Sequence, residues 1–188
     1  MIKDKDYLKN FENKVQEELL RLCTSYGFLD GQMLGSEDID NHWNNLAPEY
    51  VADAVPEIQD YPVVSLAWAF YLGMAIAYGW DEDWEKCVLA PYPSYYGAEG
   101  FDDMDEHIVR DILGIPLESR TAKDFEMMAR RCGQTTLTLI RNEQIEPSTP
   151  TAFHIYARAI KTMYHIGAAI QLKRMGYKFE KMDAPRFQ

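Results

Sequence analysis

Apolar residues recur along this chain mostly in three- and four-residue steps, the spacing of one face of an α-helix. Leu8, Phe11, Val15, Leu19, Leu22 and Tyr26 form such a stripe. They predict a first helix over residues 6–26, with Asp4 or Asp6 as its cap and Gly27 placed to end it. A polar stretch follows. Ser36 can cap a short helix over 37–46, and Pro48 can open another through 55. Pro56 and Pro62 then punctuate the chain.

From Val63 to Trp80 no residue is charged. Ser65, Ala69, Gly73 and Ala77 repeat every four residues and make a shallow stripe of small side chains. Leu66, Phe70, Met74 and Tyr78 form a ridge beside it, and Val64, Trp68, Leu72, Ile76 and Trp80 form a second. A helix apolar on every side is one surrounded by protein. The small stripe lets one neighbour come close, so Gly73→Leu should overpack that contact at a cost of about 1–3 kcal/mol.

Residues 81–89 continue as a further helical piece, followed by the loop APYPSYYGAEG. A helix over 101–113 ends at Gly114, and another spans 120–141, carried by Phe125, Met128, Cys132, Leu139 and Ile140. Within it QTTLTLI alternates like a strand, but only a weak Tyr177/Phe179 alternation offers it a partner, so the helical reading is kept. The last helix has Thr149 as cap, Pro150 in its first turn and Gly176 at its end. Phe153, Tyr156, Ala157, Ile160, Tyr164, Gly167, Leu172 and Met175 supply its buried side, and a basic, aromatic tail follows. The segments GMAIA (73–77) and GAAIQ (167–171) are too faintly alike to be a repeat. The pattern predicts an all-α fold, a single-domain helical bundle over 1–188 of about six to eight helices around the central apolar helix at 62–80.

Composition changes this picture in one respect. Eighteen uncharged residues make a helix of about 27 Å, marginal for a bilayer core. Tyr61, Trp80 and Trp84 would even suit its interfaces. Both flanks are acidic, however (Glu57 and Asp60 before, Asp81, Glu82 and Asp83 after), where a spanning helix usually carries Lys or Arg on one side. A buried core helix and a soluble protein are expected, with no membrane partner. The formal charge of −11 opposes nucleic acid and anionic lipid alike. Three cysteines, Cys23, Cys87 and Cys132, lie far apart in sequence without a C-x-x-C pair, and MIKDKDYLKNF has no secretory apolar region; both point to the cytoplasm.

Three groups of residues could carry chemistry. Tyr92, Tyr95 and Tyr96, beside Phe101, can line a ligand pocket or partner surface, or simply cap the helical core. His154, Arg158, Lys161 and His165 share one face of the last helix. That stripe can hold an anion or acidic partner, be the solvated face, or pair with carboxylates of a neighbouring helix. Asp38 with His42, and Asp103 with His107 and Asp111, stand at i,i+4 spacing on helices, which would let them share a divalent ion. No H-E-x-x-H, paired E-x-x-H or calcium loop supports a metal: reading a loop from Asp30 puts Gln32 and Leu34 at ligand positions. Neither a metal nor a cofactor is expected. There is no G-x-S-x-G, P-loop or G-x-G-x-x-G. Cys132 follows Arg130 and Arg131, but its place in the apolar period makes it a core cysteine. The expectation is a helical binding or interaction protein that associates with itself or with another protein. The alternative is an enzyme or metal-dependent protein with a small-molecule pocket among the helices.

Overall fold

A computed structural model describes residues 5–178. The Asp4 cap, Phe179 and the rest of the tail lie outside the described residues. The chain forms α1 (Lys5–Ser25), α2 (Glu37–Ala54), α3 (Pro62–Leu89), the short α4 (Met104–Glu106), α5 (Arg120–Asn142) and α6 (Pro150–Arg174). No strand occurs among the described residues, and 134–140 are helical. The all-α bundle is as the pattern predicts.

Helix ends follow the local chemistry. Ser36, Ser119 and Thr149 each accept a backbone N–H from three residues on, at Ile39, Ala122 and Ala152. Gly27 has φ +83°, and Phe28 and Gly27 donate back to the carbonyls of Cys23 and Thr24. That pair of bonds is the Schellman ending, which needs a left-handed residue.

Two expected helices are corrected. Pro48 lies inside α2 rather than starting a new helix. Ile39, Trp43, Leu46, Tyr50 and Ala54 are buried at helical spacing on both sides of it, and that continuous stripe outweighs one missing N–H. The helix expected at 101–113 is wound differently. After one turn of α4, His107–Ile112 is π-helical, with Leu113 N–H donating to the Ile108 carbonyl.

Pairs of contacts give the topology. Ser65 meets Tyr156 and the Trp80 ring meets Tyr177, so α3 runs parallel to α6. Glu12 meets Arg158 and Gly27 meets Lys173, so α1 runs that way too. Tyr50 meets Ser65 while Asp38 meets Trp80, which makes α2 antiparallel. Arg174 lies over Phe125 while Thr136 reaches Met163, so α5 is also antiparallel. The bundle therefore alternates up and down, with 90–119 bridging α3 to α5.

The α3–α6 pair is its axis. Leu66, Phe70, Leu72, Met74 and Ile76 of α3 and Ile160, Met163, Ile166 and Ile170 of α6 are fully buried. The 18-residue stretch of α3 apolar enough to cross a membrane is 67% buried inside the protein. Phe153, expected on the buried side, is instead 48% exposed. A small polar network fixes the register where α2 ends: Ser65 Oγ donates to the Ala54 carbonyl (2.6 Å), Tyr50 hydroxyl donates to the Ser65 carbonyl (2.8 Å), and Tyr156 hydroxyl bonds Ser65 Oγ.

The C-terminal part of α3 turns back. Asp83 has φ −164° and ψ 93°, and its carboxylate accepts from Lys86 N–H, capping residues 84–89 as a separate piece. That piece packs so closely on α3 that a Cβ on Gly79 would lie 2.5 Å from Cys87 Sγ. The fold-back carries Trp84 to His42, and the loop beyond it reaches Asp53.

Candidate functional site

The tyrosine loop lies along the C-terminal half of α2. Tyr92 and Tyr95 are buried and Tyr96 is half-buried. The hydroxyls of Tyr92 and Tyr96 both donate to Asp53 Oδ2, at 2.8 and 2.5 Å. Burial first, and then the Asp53 carboxylate, push the Tyr96 hydroxyl up to about 12 and raise Tyr92 as well. Tyr95 is raised by burial and stands beside the Cys87 thiol. His107 ties the π-helical turn to this loop, with Nε2 against the Ser94 carbonyl (3.1 Å) and Nδ1 against Asp111 Oδ2 (2.9 Å). Asp103 is turned elsewhere: it accepts the Glu99 N–H, in a cradle left open by Gly97.

The basic stripe of α6 is divided among neighbouring helices. Arg158 Nη1 donates to Glu12 Oε2 at 2.5 Å, and Lys161 Nζ lies 3.4 Å from the other oxygen. Glu12 is buried on α1. Burial alone would raise its pKa, but the Arg158 hydrogen bond and the charges of Lys161, Lys9 and Arg158 outweigh it and hold the carboxyl below its ordinary value. His165 Nε2 stands 3.5 Å from Asp40 Oδ1, close enough for attraction once charged but without a hydrogen bond. His154 packs against the ring of Phe153.

Asp38 and His42 also part company. Asp38 accepts the Trp80 indole N–H at 3.2 Å, whereas His42 is buried edge-on to Trp84. His42 Nδ1 faces the Asn45 amide at 3.3 Å, and its Nε2 has no hydrogen-bond partner. Burial lowers the pKa of both His42 and His165. The sequence-selected residues thus do not converge on one site: Tyr92 and Tyr96 meet on Asp53, Arg158 and Lys161 meet on Glu12 with His165 within reach of the same charges, and His42 lies against Trp84. Among the described residues, no group of three or more His, Cys, Asp or Glu is arranged to hold a metal ion.

A concavity lies elsewhere. A groove of about 600 Å³ runs between the loop before α2, the first turn of α2, Trp80 of α3 and the end of α6. Met33, Leu34, Trp80, Leu172 and Tyr177 give it an apolar lining, and Glu37, Asp40, Asn41 and Lys178 give it polar groups. Both rings are fixed through their polar edges, Trp80 by Asp38 and Tyr177 by a hydroxyl bond to Asp81 Oδ1 (2.5 Å), with ring centroids 5.4 Å apart. Sequence reading missed this place. In the sequence Trp80 reads as part of a core ridge and Tyr177 as part of the tail, and no local spacing joins them.

Neither a family model, a curated protein nor a solved structure matches this chain.

Proposed function

We propose that this chain is a cytoplasmic helical binding protein without catalysis of its own, and that the groove beside Trp80 and Tyr177 seats its partner. One observation carries the reading: aromatic and aliphatic side chains from three distant segments converge on a preformed concavity whose rings are already held in place. Its volume is that of ordinary ligand sites. The side chains with the most chemical potential, Arg158, Tyr92, Tyr96 and His107, spend their polar atoms on bonds within the fold. The tyrosine loop and the α6 stripe therefore support the groove's scaffold rather than compete with it. Self-association belongs to the same reading. Val55, Tyr61 and Phe153 are exposed at the end where α2 finishes and α3 and α6 begin, a surface suited to a second copy.

The test is metal analysis and native mass spectrometry of the purified protein, with sedimentation across a range of concentrations. Protein free of any stoichiometric ion or metabolite, and associating with itself as concentration rises, is the expected result. A stoichiometric metal or metabolite would overturn the non-catalytic reading in favour of an enzyme.

A further inference from the structure

We infer that the groove takes a cationic, arginine-bearing peptide segment; this rests on the groove being the binding seat. The lining combines two features that a guanidinium uses together. Trp80 and Tyr177 offer paired aromatic rings, whose π-faces attract a cation. Glu37 and Asp40 offer carboxylates in the same wall, with which a guanidinium makes charge-assisted bonds.

Acidic residues in the first turn of α2 have a plain explanation in the helix dipole, which favours Glu37, Asp38 and Asp40 there. The dipole does not explain Asp81, which comes from α3 and joins them by holding Tyr177. Two carboxylates, Glu37 and Asp40, thus line the groove, and two more, Asp38 and Asp81, hold its rings, against Lys178 in the lining, His165 at 3.5 Å from Asp40 and the partial positive charge of the α2 N-terminus. The balance is negative, in a protein whose formal charge is −11. An anionic ligand meets that field at a cost, and a neutral apolar ligand leaves the Glu37 carboxylate without a charged partner. The aliphatic floor of Met33, Leu34 and Leu172 suits the methylene stem of an arginine, which packs along apolar surface while its head stays polar.

The experiment uses the full chain, labelled with ¹⁵N, and follows the Trp80 indole N–H, assigned through Trp80→Phe. Three synthetic peptides of one length are titrated: one rich in arginine, one with every arginine replaced by citrulline, and one with glutamate instead. The arginine peptide should shift the Trp80 indole saturably, with the citrulline peptide at least tenfold weaker and the glutamate peptide silent. Glu37→Gln combined with Asp40→Asn should weaken the arginine peptide tenfold or more, while Lys178→Ala tightens it. Equal binding of the arginine and citrulline peptides overturns the cation assignment yet leaves the groove as a binding seat. Silence from all three peptides overturns both. Binding unaffected by the double variant also overturns the assignment, and an amide spectrum of that variant that overlays the parent's away from the substitutions shows that the fold is intact.

Discussion

Gly73 of α3 lies against the main chain of α6 at Tyr164, and Gly167 of α6 lies against the main chain of α3 at Phe70. A Cβ on Gly73 would come within 2.0 Å of the Tyr164 carbonyl oxygen, and one on Gly167 within 1.8 Å of the Phe70 oxygen. Each helix presents its glycine to the other's backbone, so the two axes approach more closely than side chains would allow. No rotamer can relieve a clash with a carbonyl. Gly73→Ala and Gly167→Ala should each cost about 3 kcal/mol or more, above the cost expected from the stripe of small residues alone because the clash is with main chain, lowering Tm by roughly 6–12 °C. Gly133→Ala is the milder comparison, since its Cβ would lie 3.1 Å from a Val63 methyl and 3.3 Å from the Val63 carbonyl oxygen, only a few tenths of an ångström inside ordinary contact. A melting curve for either core variant that overlays the parent's would rule out the close approach.

The Glu12 cluster predicts an asymmetry. Glu12→Leu strands Arg158 and Lys161 at a partly covered site and should cost about 1–3 kcal/mol. Pairing Glu12→Leu with Arg158→Met removes both charges together and should recover most of that loss. Denaturant unfolding of the single and double variants measures it. A double variant as unstable as the sum of its parts would mean that no interaction joins the two residues.

Acid should act on this fold first through two histidines, while Asp105, whose carboxyl burial pushes up to about 6, works the other way because the folded chain binds that proton more readily than the unfolded one. Burial holds His42 and His165 below their ordinary value of 6.5. Around His165, Asp40 and Glu12 favour the charged ring while Lys161 and Lys9 oppose it, and burial is the largest influence. The unfolded chain therefore takes up protons that the folded chain refuses. Stability is full above 6.5 and falls as pH drops toward the folded-state values. Glu12 adds a second loss with its own sign: its lowered pKa stabilises the fold above the ordinary carboxylate range, and that support disappears as pH falls through its folded value. His42→Phe with His165→Gln should flatten Tm against pH between about pH 7 and about pH 5. An unchanged slope would assign that loss to other groups.

Cys23 Sγ and Cys132 Sγ lie 3.6 Å apart between α1 and α5, and all three cysteines are buried as free thiols. The Cys23 hydrogen bond first, and burial next, raise the Cys132 thiol, while burial raises that of Cys87. Thiolate is the reactive form, so a thiol reagent at neutral pH should label the native protein only as fast as it opens. Denaturant should release all three at once. Rapid labelling of the native chain would place a thiol at the surface.

What was legible in the sequence was local. The Ser65–Ala69–Gly73–Ala77 stripe already marked the close-packed face of α3, and the caps at Ser36 and Thr149 lie where side-chain chemistry requires. Gly167 reads from the sequence as part of the buried side of α6, but no local spacing pairs it with Gly73 across the interface. The turn at Asp83 showed only as a separate piece over 81–89, because the carboxylate that caps it belongs to an acidic run with several equal candidates. Glu12 sat beside Phe11 in an apolar stripe, and only the packing of α6 shows that Arg158 reaches it. The groove was illegible for the same reason. Its walls come from segments that meet only after the helices have packed.

The account depends most on α3 and α6 forming one dry core within this chain, and amide hydrogen exchange in detergent-free buffer measures that directly. Amides at 66–77 and 160–170 should exchange most slowly of all, at the rate of global unfolding, with α1 and the loop before α2 opening earlier. Exchange at 66–77 faster than in α1 or α2 would contradict the central place given to this helix pair.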